Sequence, residues 1–354
     1  MEEKNKDRIS EYLSPRIKDM MFAELSQDWL ERTGASGMLS GVPVPLGIDA
    51  SESSGEIDVR NIVLDMARVV GSDPHFIYAG SYTAFIRHAA GGDAVPMLVA
   101  EGARSADSGD LEDACMLLRA ALRLEPQSRE ALYLYARACK EISDTDAAAF
   151  GEGEGEGERI GMFKAESMET FEMLTMIHPE FAMGYYFLGY AYLNMGLYLK
   201  AKLTWQDFLK HSAGSEMETH EMDDQLLASL REEISERVEE LEEPVEIELG
   251  CNKIMGGDFA GGRDALERFK EGRYSGWWPL WYYLGIAESS LANPDAAIEA
   301  FKRVLQLSPS NIDAMEELVH IYEATGDAEN AAKYRNKIGI INKNLEEEKA
   351  GMLS

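Results

Sequence analysis

Residues 185–208 read YYFLGYAYLNMGLYLKAKLTWQDF, and residues 281–301 read WYYLGIAESSLANPDAAIEAF. In the first stretch Tyr185, Leu188 and Tyr192 stand three and four apart, so they share one helical stripe. Gly189 and Ala201 are small where two antiparallel helices of a hairpin must approach closely. Gly196 suits the turn between them, and Trp205 and Phe208 fill the space toward a neighbouring hairpin. In the second stretch Trp281, Leu284, Gly285, Ala297 and Phe301 repeat the arrangement. Pro309 follows the second helix, which it cannot continue.

Outward from these stretches runs a ladder of mostly small residues: Gly102, Ala136, Gly189, Gly250, Gly285 and Val319. Its gaps are 34, 53, 61, 35 and 34 residues. With 34 as the unit, the two long gaps carry excesses of 19 and 27. This period marks an array of helix–turn–helix hairpins, each unable to bury its apolar face alone and therefore stacked on its neighbours. Four weaker units fall into phase with the clear ones. Gly102, Ala114, Ala121 and Pro126 mark the first, and Tyr135, Ala136, Phe171 and Pro179 the second. Gly250, Gly257, Gly262 and Phe269 mark the fourth, and Leu318, Tyr322, Gly326 and Ala331 the sixth. The fourth departs most, with Glu246 in place of a large aromatic and Gly262 in place of alanine.

These residues resemble the tetratricopeptide repeat pattern, W-x-x-L-G-x-x-Y…A-x-x-x-F…P. The resemblance covers about 215 residues and implies an all-α fold: a tetratricopeptide-type solenoid of helical hairpins wound as a right-handed superhelix. Two blocks of about three repeats are expected, over 95–213 and 243–340. A glycine–glutamate loop at 143–162 interrupts the first block; its centre, residues 151–158, reads GEGEGEGE and cannot build a core. Between the blocks, over 214–242, an acidic amphipathic helix is expected to end before Pro244, with Leu227, Leu230, Ile234, Val238 and Leu241 on one stripe. The alternative reading of that helix is a partner-docking element.

The N-terminal part divides at about residue 56. Ser14-Pro15 reads as a helix start, with Ile17, Met20, Met21, Leu25 and Trp29 on one face and Gly34 as a stop. Residues 34–55 are rich in Gly, Ser and Pro but hold an apolar island, Met38 to Leu46, that docks either on the chain itself or on a partner. Residues 57–94 read as a helical hairpin cap, its second helix starting at Asp73-Pro74. Residues 341–354 read as a frayed terminal helix.

The 354-residue chain carries 64 acidic and 34 basic residues, a net charge of −30. Such a field repels nucleic acid and anionic membranes, so neither is an expected partner. Three cysteines, Cys115, Cys139 and Cys251, lie far apart, as expected of structural thiols in a reducing compartment. No secretory signal and no membrane-spanning run is read, which makes a cytoplasmic location the expectation. A phosphate-binding loop, a nucleophile elbow, a kinase signature and a His-Glu-x-x-His zinc pair are all missing from the sequence. His211 and His220 with Glu216, Glu218, Glu221, Asp223 and Asp224 form the one cluster rich enough for a metal, at a spacing that matches no known site. No cofactor and no enzyme activity are expected.

The resemblance also implies where a partner binds. The first helix of each hairpin lines a concave groove through positions 2, 5, 9, 12 and 13. In the third repeat these are Met183, Tyr186, Tyr190, Leu193 and Asn194; in the fifth, Pro279, Tyr282, Ile286, Ser289 and Ser290. The second contributes Glu130, Tyr133, Arg137, Lys140 and Glu141, and the sixth Asp313, Glu316, His320, Glu323 and Ala324. The expected groove is aromatic and apolar in the middle and mixed or acidic at its edges, suited to a peptide or a helix. The Lys and Asn positions by which some co-chaperones clamp a C-terminal carboxylate hold Tyr133 and Arg137, Tyr186 and Tyr190, or Tyr282 and Ile286 instead. The sequence therefore points to a non-enzymatic scaffold for a protein or peptide partner, its oligomeric state open. The alternatives are a chaperone or co-chaperone without the carboxylate clamp, and a peptide-signal receptor.

Overall fold

The computed structural model describes residues 7–18, 20–47, 58–150, 154–213 and 224–352. The described residues open with one helical turn, α1 (Ser10–Leu13), running into a 3-10 turn over Ser14–Ile17. Then come strand β1 (Met21–Ala23), α2 (Gln27–Arg32), α3 (Ser36–Leu39), strand β2 (Val44–Leu46), α4 (Val59–Ser72) and α5 (Ala79–Ala90). Six hairpins follow. They are α6 (Ala94–Asp107) with α7 (Leu111–Leu124), α8 (Arg129–Phe150) with α9 (Glu154–Ile177), and α10 (Ala182–Asn194) with α11 (Tyr198–His211). After α12 (Asp224–Glu240) come α13 (Glu242–Met255) with α14 (Phe259–Glu267), α15 (Trp278–Ser290) with α16 (Pro294–Leu307), and α17 (Ile312–Ala324) with α18 (Ala328–Met352).

Two compact units are distinguished: residues 1–191 with 207–221, and residues 192–206 with 222–354. The division falls inside the third hairpin, whereas the sequence suggested 214–242. The backbone N–H of Leu199, at the start of α11, donates to Glu248 of α13 at 2.8 Å, within the second unit.

Three rungs of the ladder are contact points between paired helices. A Cβ on Gly102 would lie 2.8 Å from Leu118, one on Gly250 2.7 Å from Leu266, and one on Gly285 2.8 Å from Phe301. Ala136 is fully buried and Val319 nearly so. The departures of the fourth repeat have a physical reason. A Cβ on Gly262 would meet Ile254 and stand 2.8 Å from the Gly250 carbonyl, so α13 and α14 approach more closely than alanine allows. Glu246 points outward and pairs with Arg268.

Five of the hairpin turns share one solution. Gly109, Gly196, Gly257 and Gly326 take positive φ of 86°, 72°, 89° and 78°, and Ala292 takes 60° in the fifth hairpin. An aspartate follows three of these glycines and caps the second helix. Asp110, Asp258 and Asp327 accept from the backbone N–H of Asp113, Gly261 and Asn330 at 3.2, 3.0 and 3.1 Å. One residue ends a helix in the left-handed region and the next starts another, so the chain reverses within a few residues.

Three expectations are corrected. The glycine–glutamate loop at 143–162 is mostly helix: α8 and α9 both extend through it and pack on each other, with only 151–153 outside the described residues. Arg159 joins the two by bonding Asp146 at 2.7 Å and reaches Glu112 of α7 at 3.0 Å, while Phe163 is fully buried. These contacts outweigh the roughly 1 kcal/mol that each glycine costs a helix.

The N-terminal helix expected from Ser14 to Gly34 is instead a turn, a strand and a short helix. Met21–Ala23 pair antiparallel with Val44–Leu46, so a two-stranded sheet interrupts an otherwise all-α fold. The apolar island thus docks on its own chain, burying Leu39 and Val44 among Trp29, Met66, Tyr82 and Phe85. The Tyr82 hydroxyl donates to the Pro43 carbonyl at 2.6 Å. Asp73-Pro74 forms a turn ahead of α5, with Asp73 accepting from the His75 N–H at 2.9 Å. The helix α12 carries the expected stripe, Ile234 being its buried centre, and Pro244 falls in the first turn of α13.

Helix-permitting alanines at Gly157 and Gly161, where a Cβ meets nothing within 4 Å, are expected to stabilise the chain by about 1–2 kcal/mol together. Urea unfolding reads this, and no change would mean that the segment is not helical in solution. Gly285→Leu is expected to cost about 1–3 kcal/mol by overpacking against Phe301.

Candidate functional site

The tyrosines expected on the groove helices do meet other rings, and in the first unit the contacts run without a break. From α8, Tyr133 lies edge-on to Phe181 with centroids 5.2 Å apart, and 6.0 Å from Phe187 of α10. Phe187 stacks on Phe171 of α9 at 5.4 Å and 13°. Tyr186 stands edge-on to Phe187 at 5.1 Å and to Tyr190 at 5.3 Å, and 5.6 Å from Phe208 of α11. Edge-on and offset arrangements are those the ring quadrupoles favour. Phe171 and Phe208 are buried, whereas Tyr133, Phe181, Tyr186, Phe187 and Tyr190 are half-buried. The series therefore runs from the core to a partly wet surface.

Two arginines lie on this surface. The Arg137 guanidinium sits 5.5 Å over the Tyr133 ring and 5.7 Å over Phe187, and Arg129 sits 5.5 Å over Phe181. Arg129 also pairs with Glu130 at 2.8 Å. Arg137 is exposed, and among the described residues no carboxylate lies within ion-pair distance of it. Held by two ring faces, its planar fork keeps its donors directed away from the rings. The loop carrying Phe181 is pinned below: Nε2 of His178 donates to the Gln127 carbonyl at 2.7 Å.

Of the ten candidate residues, Tyr133, Arg137, Tyr186 and Tyr190 come together in this way. Met183 is 7% exposed and belongs to the packing of α10 rather than to its surface. Leu193 is half-buried and Asn194 exposed, both in the second unit. There too, Tyr282, Ile286 and Ser289 are half-buried on α15. Tyr282 and Ile286 pack against the core that α16 and α17 share. Tyr282 stands 6.3 Å from the exposed Trp278 and 5.8 Å from Phe301. Burial first, then the carboxylates of Glu317, Asp313 and Glu316, pushes its phenol above the ordinary range. Phe187 and Phe181 were not expected at the site. The signal was the run Tyr185-Tyr186-Phe187: three adjacent rings on a helix point about 100° apart, so they cannot all face one way.

Among the described residues no group of three or more His, Cys, Asp or Glu side chains could hold a metal. The ring of His211 stacks on Tyr185 at 5.4 Å and 8°. His220, Glu216, Glu218, Glu221 and Asp223 lie outside the described residues. All three cysteines are free and buried. Burial raises the Cys139 thiol well above its ordinary range and pushes Cys251 up to about 12.

The tetratricopeptide repeat family matches residues 279–311, the span of α15 and α16. No curated protein matches the sequence. Among solved structures, MamA is 18% identical over 55% of this chain and 98% of its own, with a TM-score of 0.30. The tetratricopeptide domain of P58(IPK) is 14% identical over 82% of this chain and 75% of its own, with a TM-score of 0.39. The TPR2AB domain of yeast Sti1, in a pHSP90 complex, is 14% identical over 74% of this chain and 96% of its own, at 0.30.

Native thiols are expected to resist alkylation. Unfolded thiols ionise near pH 8.5, whereas Cys251 needs a pH near 12. Raising the pH from 7 to 9 should speed iodoacetamide labelling of the urea-unfolded chain by tens of fold and leave the native Cys251 unlabelled. Rapid native labelling of Cys251 would show that its helix opens.

Proposed function

We propose that this tetratricopeptide-repeat chain is a non-enzymatic interaction scaffold that takes a peptide or helix of a protein partner on the face of Tyr133, Arg137, Tyr186, Phe187 and Tyr190. The observation that carries the reading is the unbroken series of ring contacts from Tyr133 to Tyr190, half-exposed and crossed by one guanidinium. Rings already fixed by their neighbours lose little freedom when a partner covers them, and aromatic and arginine anchors supply most binding energy at protein interfaces. Arg137 adds a donor fork for a carboxylate or carbonyl of the bound segment. Leu193, Asn194, Tyr282, Ile286 and Ser289 lie on first helices within the second unit and are proposed as contact positions there. A reducing, cytoplasmic setting suits three free, buried thiols. No described helix is long and apolar enough to cross a membrane.

The test is capture of partners from lysate by the wild type and by Tyr186→Ala/Tyr190→Ala, with Arg137→Ala alongside. Each variant is expected to keep its helical circular dichroism and to lose the proteins that the wild type retains, at about 1–3 kcal/mol per anchor. An unchanged set of captured proteins sinks the proposal. Unfolding of the double variant would equally show that these tyrosines are core.

A further inference from the structure

Residues 7–13 occupy a built seat on the repeats. Ile9 and Leu13, both fully buried, sit among Cys115 and Leu118 of α7, Tyr135 and Cys139 of α8, and Phe163 of α9. Tyr135 and Tyr133 are two residues apart on α8, so they point about 200° apart. The seat thus lies on the side of α8 away from the aromatic face and does not depend on the function proposed for that face.

The polar contacts are as specific as the apolar ones. Oδ1 of Asp7 accepts from the backbone N–H of Ile9 and Ser10 at 3.3 and 3.1 Å, capping α1, and Oδ2 pairs with Arg119 of α7. Arg8 makes two hydrogen bonds to Glu169 of α9, at 2.9 and 2.8 Å. Glu166, 3.7 Å from Arg8, accepts from the Tyr135 hydroxyl at 2.8 Å. Farther on, Arg16 pairs with Asp110 and lies 3.6 Å from Glu112. A helix one turn long is recognised by its cap, by apolar residues on one stripe and by a flanking charge, the way a groove reads an amphipathic helix.

Two observations indicate that this occupant is exchangeable. First, α1 is four residues long, and a single turn carries no helical stability of its own. Second, it satisfies the seat incompletely. Arg119, its side chain 11% exposed, uses Nη2 for Asp7 and Ser10, while its buried Nη1 finds no acceptor among the described residues. A carboxylate offered side-on would take both nitrogens.

We propose that the surface of α7, α8 and α9 around Arg119 is a docking site for a short helix of a separate protein, and that residues 7–13 are its resident competitor. The partner helix carries an acidic cap residue followed by apolar residues two and six positions later. Ile17, packed into the N-terminal core, tethers the displaced segment.

The experiment uses the full chain and a fluorescent peptide with the sequence of residues 4–18. Binding is read by anisotropy for the wild type and for Ile9→Asp/Leu13→Asp, in which the resident segment is unseated. The variant is expected to bind the peptide at least about tenfold more tightly than the wild type, because a competitor lowers apparent affinity by the fraction of time it holds the site. A peptide with Asp7→Lys is expected to bind neither. A folded variant that fails to bind overturns the proposal. Hydrogen exchange on the wild type gives a second reading that needs no variant. Amides of residues 10–13 are expected to exchange at least about a hundredfold faster than those of α7, and equal protection would make the segment core. A wild-type dimer that forms with concentration and is lost in Ile9→Asp overturns the separate partner and makes the occupant a second copy.

Discussion

At three hairpin crossings of this chain the paired helices approach so closely that the residue there carries no side chain. At Gly102, Gly250 and Gly285 an added methyl group would press into a leucine or a phenylalanine of the opposite helix. At Gly71 it would run into the backbone of Met116, where α4 crosses α7. Most of the architecture follows from that spacing. Closely packed helices need short connections, and five of these turn at a residue with positive φ, followed in three by a capping aspartate. Close packing also leaves each hairpin a broad apolar flank, which only a neighbouring hairpin covers. The fourth repeat shows the constraint most clearly: its large-residue position holds a solvent-facing glutamate, and the lost bulk is matched by a closer approach at Gly262.

The second hairpin departs from this economy. Its helices run 22 and 24 residues, well beyond the 13 or 14 of α6, α7, α10, α11, α15, α16 and α17. The added length brings Arg159 and Phe163 against the N-terminal segment. The Arg159 guanidinium lies 5.9 Å over the Tyr12 ring, and Tyr12 stands 6.0 Å from Phe163. What reads as an inserted acidic loop is therefore the wall of the seat that holds residues 7–17. Gly155, Gly157 and Gly161 are tolerated in α9 because Arg159 and Phe163 fix the helix by their side chains.

The hairpins were legible because their signals are local: the 34-residue spacing, small residues at crossings, and glycine at turns all lie within one or two repeats. The errors fall where a distant partner decides. Ile17, Met20, Met21, Leu25 and Trp29 are spaced as on a helix, but Met21–Ala23 pair with a strand more than twenty residues away, which local periodicity does not report. Residues 143–162 have poor helix propensity, overridden by tertiary contacts. At the candidate site Tyr133, Tyr186 and Tyr190 could be read from their positions in the repeat. Met183 and Phe187 could not, because α10 is apolar on every side and its pattern does not tell inside from outside.

The acid excess takes on a different meaning once the ion pairs are placed. Arg8, Arg16, Arg68, Arg119 and Arg159 all bind carboxylates of neighbouring helices or of the N-terminal segment. Arg68 alone bonds Asp113 at 2.6 Å and Asp65 at 3.1 Å. Burial raises the Asp65 carboxyl despite that partner, so this cation serves to keep a buried acid tolerable. With so much positive charge used between elements and a net charge of −30, the outward field of the chain is acidic. Arg137 is an exception. It is exposed, supported by two ring faces and without a carboxylate partner among the described residues. Its charge therefore faces outward from an aromatic surface on a strongly acidic protein. On the function proposed above, an incoming segment with one acidic residue beside an apolar one is attracted here and repelled over most of the remaining surface, a discrimination that ring contacts alone do not supply.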